Sequence, residues 1–335
     1  MRTACIVTQE PFWNRALGSA TLMRSRMELL ERVFDRVIVL FLSQDDTQSP
    51  LPGATIKISG GASREDLADI ADYIENEGVE LCYFSYALFG ELVLEIRCQT
   101  AVEIHDVLHL RSESFRKHGF SAPLQISRSE EIENLGRYDL IFSLNLSEAT
   151  YLRSQGLAGV FYLPPSMPFD ELPMPGTEAV GMIGSMAKPN LDGLSRISDF
   201  IESLPEMILA GSLSTADPAQ RLKGSGIRRI GIVQDPRDFY RKISLSLSPV
   251  RFGAGLKIKV FEALAHGRPV LATEHSIEGF PDGIRDVVTV EDDLSRWSPS
   301  LALKAMQIPT EQVAAYFKEH FGQERCAAML NAALT

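Results

Sequence analysis

The sequence predicts an α/β protein with two Rossmann-like domains, each a doubly wound parallel sheet, that face a central cleft. Short β-rich runs alternate with helical patterns along all 335 residues, which is typical of βα units. The alternation stops at a segment with five prolines, 163–176, and then begins again. The chain is also long and apolar enough, with 45% hydrophobic residues, to bury two cores.

The alternation places strands and domain boundaries along the chain. We expect strands near 5–8, 37–42, 55–58, 81–85, 101–105, 140–144 and 160–163, with helices between most of them, such as 64–76. A second series is expected near 180–184, 207–210, 229–233, 245–250, 270–273 and 287–290. The predicted domains are therefore 1–165 and 179–335, joined by a linker at 166–178, and the last helix could pack back on the first domain.

Composition excludes several classes of protein. A net charge of −11 and a pI near 5.1 argue against a nucleic-acid partner, which needs clustered cations. Four scattered cysteines suggest neither a disulfide framework nor a zinc ribbon, so we expect a cytoplasmic protein. The apolar run at the start is too short for a signal peptide, and no run reaches the roughly 20 residues of a transmembrane helix.

One expected helix, 19–36, bears on membrane contact. It carries Arg24, Arg26, Arg32 and Arg36 among apolar side chains. Either it is an amphipathic helix with a solvated face over a sheet, or it makes peripheral contact with a membrane surface.

The segment 245–273 reads as strand, glycine loop, helix and strand. Lys257 and Lys259 fall in the first turn of the expected helix, where the positive end of the helix dipole disfavours cations unless an anion is near. A diphosphate would satisfy the free N–H groups and both ammonium groups, and Glu262 could accept hydrogen bonds from a ribose. The alternative is an exposed ion pair between Lys259 and Glu262, with Lys257 solvated.

Residues 248–273, followed by Glu278 and Gly279, resemble the C-terminal signature of glycosyltransferase family 4, the glycosyl transferases group 1, as do 183–193 and 229–235. The resemblance implies a GT-B fold and metal-independent transfer from a nucleotide sugar with retention of configuration. It assigns donor binding to these residues: Gly184, Ser185, Arg251, Gly253, Gly255, Lys257, Lys259 and Glu262. One position departs from the family: Ala254 stands where the first acid of its E-x7-E pair is expected.

The first half offers a second polar cluster. His105 and Asp106 follow an expected strand, where they could face the acceptor; the resemblance puts His105 near the donor sugar, and Asp106 is the natural base of an inverting enzyme. The alternative is that Asp106 only caps the next helix. His105 and His109 imitate a zinc motif, which we discount because His105 ends a strand. Gly18 and Ser19 begin a helix and could contact the donor, or Ser19 could be its N-cap.

These observations favour a glycosyltransferase that moves a sugar from a nucleoside diphosphate sugar to a glycan or lipid-linked acceptor, in cell-surface polysaccharide or glycoconjugate synthesis. No cofactor beyond the nucleotide sugar and no metal are expected. Two alternatives remain, since fold does not decide function: a nucleotide-sugar epimerase of the same architecture, and a non-catalytic sugar or nucleotide binding protein.

Overall fold

A computed structural model describes residues 1–13, 18–43, 45, 47–58, 64–86 and 90–335, without the side chains of residues 18–19, 64–65 and 90. All thirteen expected strands are present in these ranges. They are β1 (Thr3–Thr8), β2 (Arg36–Ser43), β3 (Gly53–Lys57), β4 (Leu81–Ser85), β5 (Gln99–Ile104), β6 (Leu140–Ser143), β7 (Val160–Tyr162), β8 (Val180–Ile183), β9 (Met207–Ala210), β10 (Ile227–Gly231), β11 (Leu245–Ser248), β12 (Val270–Ala272) and β13 (Val288–Val290).

Helices connect most of these strands. They are α1 (Gly18–Leu30), α2 (Arg64–Asn76), α3 (Gly90–Val93), α4 (Leu108–Lys117), α5 (Arg128–Leu135), α6 (Leu146–Ser154), α7 (Lys188–Arg196), α8 (Ser198–Glu202), α9 (Asp217–Arg221), α10 (Pro236–Tyr240), α11 (Ile258–Ala265), α12 (Glu274–Ile277), α13 (Ile284–Val287), α14 (Pro299–Met306), α15 (Thr310–Phe321) and α16 (Gln323–Ala333). Short 3₁₀ helices lie at Ser212–Thr215 and Leu294–Arg296. Within the described ranges, no helix is both long and apolar enough to cross a bilayer.

The strands form two parallel sheets. The first has the order β3-β2-β1-β4-β5-β6-β7, and the second has the order β10-β9-β8-β11-β12-β13. In each sheet the chain builds outward on one side and then crosses to the other, so the order reverses between β1 and β4 and between β8 and β11. The predicted doubly wound α/β architecture is thus confirmed, and each sheet has one switch point, where such sheets bind ligands.

The central strands are buried on both faces, as parallel strands covered by helices must be. In β1, Cys5 and Val7 belong to one apolar cluster, whereas Ala4 and Ile6 belong to the cluster on the opposite face. All six residues of this strand are buried. A continuous apolar run of this kind predicts a central strand better than an alternating one.

The chain divides into two compact units that are not continuous in sequence. Unit 1 comprises residues 1–112, 122–166 and 323–335, and unit 2 comprises 113–121 and 167–322. One segment, 113–121, departs from the expected boundaries, whereas the last helix packs back on the first domain as expected. Residues 113–121 go with unit 2 because the rings of Phe115 and Phe120 pack on buried Phe252, with centroids 5.1 Å away in each case. The helix α16 goes with unit 1 because Cys326 and Leu330 enter its core.

Hydrogen bonds attach the expected linker to residues of unit 2. Residues 166–178 contain no helix or strand, as their prolines predict. The buried guanidinium of Arg268 donates hydrogen bonds to the carbonyl oxygens of Leu172 at 3.0 Å and Pro173 at 2.7 Å, and the amide of Asp170 donates to Ala265 O at 2.9 Å. From residue 167 onward this segment is therefore part of unit 2, not a free tether.

The helix expected at 19–36 is shorter than predicted. It ends at Leu30 in the structure, because the chain turns at 31–33 and β2 already begins at Arg36. Its arginines do not form a basic face for a membrane. Arg26 is buried and Arg24 donates to Phe12 O at 3.2 Å, while Arg32 donates to Gln323 Oε1 at 2.8 Å. Of the two interpretations, the structure supports a helix that packs over a sheet.

Candidate functional site

The glycine loop, 249–257, lies at the switch point of the second sheet. It follows β11 and leads into α11, and β11 pairs with β8, the strand that ends next to Gly184 and Ser185. The predicted donor residues of these two segments therefore meet at the carboxyl edge of adjacent strands.

Lys259 reaches from the first turn of α11 to the end of β8. Its Nζ donates a hydrogen bond to Asn190 Oδ1, and Asn190 Nδ2 donates to Ser185 O at 3.0 Å. A Cβ on Gly184 would lie only 3.0 Å from Asn190 Nδ2 and 3.5 Å from Lys259 Nζ. The structure thus brings Gly184, Asn190 and Lys259 together, and glycine at 184 leaves room for the side chains of the other two.

The surroundings of Lys259 disfavour the charged form of its side chain. Burial, together with the positive charge of Lys257, lowers the pKa of Lys259 to about 7. No carboxylate in the described part of the chain forms an ion pair with Lys259, and its Oδ1 partner on Asn190 is neutral. An anion next to this ammonium would restore its charge, so the arrangement favours a phosphate ligand.

The predicted alternative of an exposed ion pair between Lys259 and Glu262 is wrong. Glu262 is buried, 7% exposed, and its Oε2 lies 3.5 Å from the phenol oxygen of Tyr240. The same hydroxyl donates to Lys259 O at 3.3 Å. Burial and the negative charge of Glu262 raise the pKa of Tyr240, which keeps the phenol neutral and able to donate.

The loop itself is held by its own charged residues. The guanidinium of Arg251 donates to Asp192 Oδ2 from Nε at 3.0 Å and from Nη2 at 2.9 Å. Lys257 is the N-cap residue of α11 and is not simply solvated, since its Nζ donates to Gly255 O at 2.8 Å. Both cations were expected to contact the donor. In the structure, Arg251 instead donates to a carboxylate and Lys257 to a backbone carbonyl.

Glycine is required at two positions of this loop. Gly253 has φ 126° and Gly255 has φ 70°, conformations that L side chains rarely adopt. The amide of Gly253 donates to Ser114 Oγ at 2.9 Å. The Gly253 amide expected to bind sugar or phosphate is therefore already paired, and a ligand would have to displace Ser114.

In unit 1, His105 and Asp106 directly follow β5, as predicted. His105 packs on the ring of Tyr86, with centroids 4.3 Å apart, and Tyr86 has the unusual φ of 74°. Asp106 pairs with Arg111 Nη1 at 2.8 Å. The helix-cap alternative for Asp106 is wrong, because Glu131 accepts the amides of Leu108 at 2.7 Å and His109 at 2.9 Å.

The zinc-like spacing of His105 and His109 brings no metal ligands together. His109 lies in α4 with Nδ1 2.6 Å from Glu131 Oε2 and Nε2 2.7 Å from Tyr151 Oη, so both of its ring nitrogens are engaged. The other predicted residues of this unit, Gly18 and Ser19, begin α1, and their side chains lie outside the described part of the structure.

A buried acidic residue next to His105 was not predicted. Glu103 Oε1 lies 3.3 Å from His105 Nε2, and its Oε2 accepts from Tyr83 Oη at 2.7 Å and from Arg26 Nε at 2.5 Å. Burial alone would raise the pKa of Glu103, but Arg26, His105 and Tyr83 hold it at about 2. Its only sequence signal is an acid inside an apolar strand. The same network explains the burial of Arg26, which the helical pattern had placed toward solvent or membrane.

Comparison with known proteins agrees with this architecture. Residues 177–298 match the family model Glycosyl transferases group 1, whose description supports transferase activity. No curated protein sequence matches the chain.

Similar solved structures cover the whole chain at low identity. Sucrose-phosphate synthase from Thermosynechococcus elongatus has a TM-score of 0.73 at 15% identity, over 99% of this chain and 98% of that one. Anabaena HepE in complex with UDP-glucose has a TM-score of 0.73 at 14% identity, over 100% and 99%. The lipopolysaccharide outer core galactosyltransferase WaaB has a TM-score of 0.64 at 10% identity, over 100% and 99%. The fold is therefore that of GT-B glycosyltransferases, and residues 177–298 carry the glycosyl transferases group 1 signature that the sequence resembles.

Proposed function

We propose that this protein transfers a sugar from a nucleoside diphosphate sugar to a hydroxyl of a glycan or lipid-linked acceptor. The observation that carries the proposal is the meeting of Lys259, Asn190 and Gly184 at the start of α11. A half-buried ammonium with no carboxylate partner among the described residues, at the first turn of a helix, suits a diphosphate better than any neutral ligand.

The diphosphate is the leaving group of this reaction, so its growing negative charge is what the site must stabilise. Lys259, Lys257 and the amides of α11 supply positive charge that is already oriented before the reaction begins. We propose that this charge replaces a metal ion, and that no cofactor besides the nucleotide sugar is used. The amides at Gly184 and Ser185 were expected to bind the same phosphates; we propose this for Ser185, whereas the Gly184 amide donates to Ala210 O at 3.2 Å and would first have to leave that carbonyl.

Glu262 is proposed to hold the ribose. It lies one turn into α11 from Lys259, and its carboxylate is buried beside the neutral phenol of Tyr240. A fixed carboxylate accepts two hydroxyl hydrogen bonds at once, which suits the vicinal diol of a ribose. Because Glu262 follows Lys259 by about one turn of α11, the nucleoside is proposed to lie further along this helix than the phosphates.

The roles of the unit 1 residues are proposed in less detail than those of the glycine loop. We propose that His105 lies near the donor sugar and acceptor, and that Asp106 acts through its pair with Arg111 and is not a free base. Gly18 and Ser19 are proposed to contact the donor. Retention of configuration is proposed from the family resemblance, and a role in cell-surface polysaccharide or glycoconjugate synthesis from the same resemblance together with the likeness to WaaB.

The test is nucleotide release. The protein is incubated with UDP-glucose, the donor bound by HepE, and then with GDP and dTDP sugars, each with and without glycan and lipid-linked acceptors. We expect acceptor-dependent release that Lys259→Ala and Glu262→Ala abolish, whereas Lys242→Ala, on an exposed lysine, leaves it unchanged. Wild-type turnover in both site variants would overturn the donor site. Conversion of the free nucleotide sugar without acceptor would favour the epimerase.

A further inference from the structure

A hydrogen-bond acceptor for the donor sugar is missing from the glycine loop. Ala254 occupies the position of an acidic residue in the family signature, so the loop offers no side-chain oxygen there. The backbone N–H groups of the loop only donate, and the carbonyl oxygens of Ala254 and Gly255 already accept from Lys257 Nζ at 3.2 and 2.8 Å, whereas sugar hydroxyls both donate and accept. An acceptor for a sugar hydroxyl would therefore have to come from a residue beside the loop.

The helix α12 is fastened to the start of this loop by hydroxyl groups. Ser276 Oγ donates to Ser248 O at 2.6 Å and accepts from the amide of Val250 at 3.3 Å. Thr273 Oγ1 donates to Val250 O. All of these groups are buried, so α12 and the start of the loop, 248–250, form one rigid corner, and His275 sits on α12 between the two anchoring residues.

The imidazole of His275 has one engaged and one unengaged nitrogen. Its Nδ1 lies 3.0 Å from Glu278 Oε2, so this nitrogen carries the proton in the neutral ring and Nε2 carries the lone pair. Nε2 is buried and has no hydrogen-bond partner among the described residues. It points toward the loop, 3.9 Å from where a Cβ on Gly253 would lie.

The electrostatics keep this ring an acceptor. Burial lowers the pKa of His275, the carboxylate of Glu278 opposes that shift, and the charges of Lys257 and His118 add to it. The net direction is downward, so the ring is neutral at physiological pH.

We propose that His275 Nε2 accepts a hydrogen bond from a hydroxyl of the donor hexose and so replaces the carboxylate that Ala254 lacks. Glu278 is a positioning residue, because it acts on the sugar only by fixing the tautomer of His275. This inference rests on the proposed function, in which the glycine loop holds the donor. It adds a specificity: the site requires a hydroxyl-bearing hexose and discriminates against the analogue that lacks the contacted hydroxyl.

The proposal also requires movement. Nε2 is closed off from solvent in the structure, so the loop around Gly253 must shift before a hydroxyl can reach it. Gly253 and Gly255 permit such a shift because neither carries a side chain that restricts its φ angle. The shift would also release the Gly253 amide from Ser114 Oγ.

The experiment compares binding of UDP with binding of UDP-glucose, UDP-galactose and UDP-N-acetylglucosamine by calorimetry. For the tightest of these hexoses, His275→Ala is expected to weaken binding about 10- to 100-fold, the range for loss of one specific polar contact, while UDP binding changes less than about threefold. His275→Gln, whose amide oxygen reaches the place of Nε2, should recover most of the loss. Glu278→Ala should weaken the hexose but not UDP.

Controls keep the outcomes distinct. Glu274→Ala alters the neighbouring residue of α12, whose side chain pairs with Arg285 at the surface, and should change neither affinity. Melting temperatures show whether each variant is folded. His275→Ala with unchanged hexose affinity, or with equal losses for UDP and hexose, overturns this inference alone. A folded wild-type protein that binds neither UDP nor any UDP-hexose, nor the GDP and dTDP equivalents, overturns the proposed function with it.

Discussion

Replacing Lys259 by methionine should stabilise the fold and at the same time remove donor binding. The unfolded chain keeps a proton on this amine up to its ordinary pKa of 10.5, whereas the folded protein releases it near 7. Between these values the unfolded state binds more protons, so the free energy of unfolding rises with pH and is lowest, on this account, below about pH 7. Methionine abolishes that dependence and spares the cost of a buried ammonium.

The same titration predicts how donor affinity depends on pH. UDP-glucose keeps its charge between about pH 6 and about pH 9, so the enzyme supplies the change. If the phosphates bind only the ammonium form of Lys259, each pH unit above about 7 weakens binding about tenfold, equal to about 1.4 kcal/mol.

The assay is calorimetric titration of UDP-glucose at about pH 6, 7, 8 and 9, in buffers with different heats of ionisation. We expect about one proton to be taken up per ligand near pH 8. Lys259→Met should bind weakly at every pH, with no proton uptake and a higher melting temperature than wild type. Wild-type affinity that is flat from pH 6 to 9, with no uptake, would refute the contact between Lys259 and phosphate.

Three further changes test other parts of the structure. Glu103→Gln leaves Arg26 buried without its counter-charge and should cost about 3–5 kcal/mol in urea unfolding; an unchanged midpoint would contradict the network. Arg268→Met removes hydrogen bonds to three backbone carbonyls and should cost about 3 kcal/mol by the same measurement, unless the 167–174 segment is held by other contacts. Gly193→Ala puts a Cβ 2.3 Å from Pro249 O and should lower the melting temperature and donor affinity, whereas Gly176→Ala, with no neighbour within 4 Å, should do neither.

The positions of the strands within each half were predictable from the sequence because they depend on local patterns. Apolar runs such as 81–85 and 207–210 appear at the predicted positions, since buried parallel strands need little more than β-branched and aromatic residues between turns. The helix of the donor element was predictable for a similar reason: its glycine loop, its first turn and the glycine at 267 are contiguous in sequence.

The predictions that failed concern contacts between residues far apart in the chain. The amphipathic pattern of 19–36 predicts a solvated face for its arginines, but Arg26 is buried against Glu103, 77 residues away. Asn190 was not singled out, although it binds Lys259 across 69 residues. Arg251 was assigned to the donor, and only the fold reveals that Asp192 lies beside it. A pattern in one segment carries no information about which second segment will face it.

One domain boundary failed for the same reason. Residues 113–121 join unit 2 through aromatic packing on Phe252, whereas α16 joins unit 1 through side chains such as Leu330, as expected for the last helix. Nothing in the composition of 113–121 marks it as belonging to the more distant half of the sequence. The prolines of 163–176 correctly predict where the chain passes from unit 1 to unit 2. They do not predict the hydrogen bonds that Arg268 donates to this segment.

The most direct test of the donor site is a crystal structure with the nucleoside diphosphate, among UDP, GDP and dTDP, that most raises the melting temperature. The account predicts that the diphosphate lies at the start of α11, within hydrogen-bond distance of Lys259 Nζ and the Ser185 amide, with the ribose on Glu262. A diphosphate bound elsewhere, with Lys259 still on Asn190 and without phosphate contact, would contradict it.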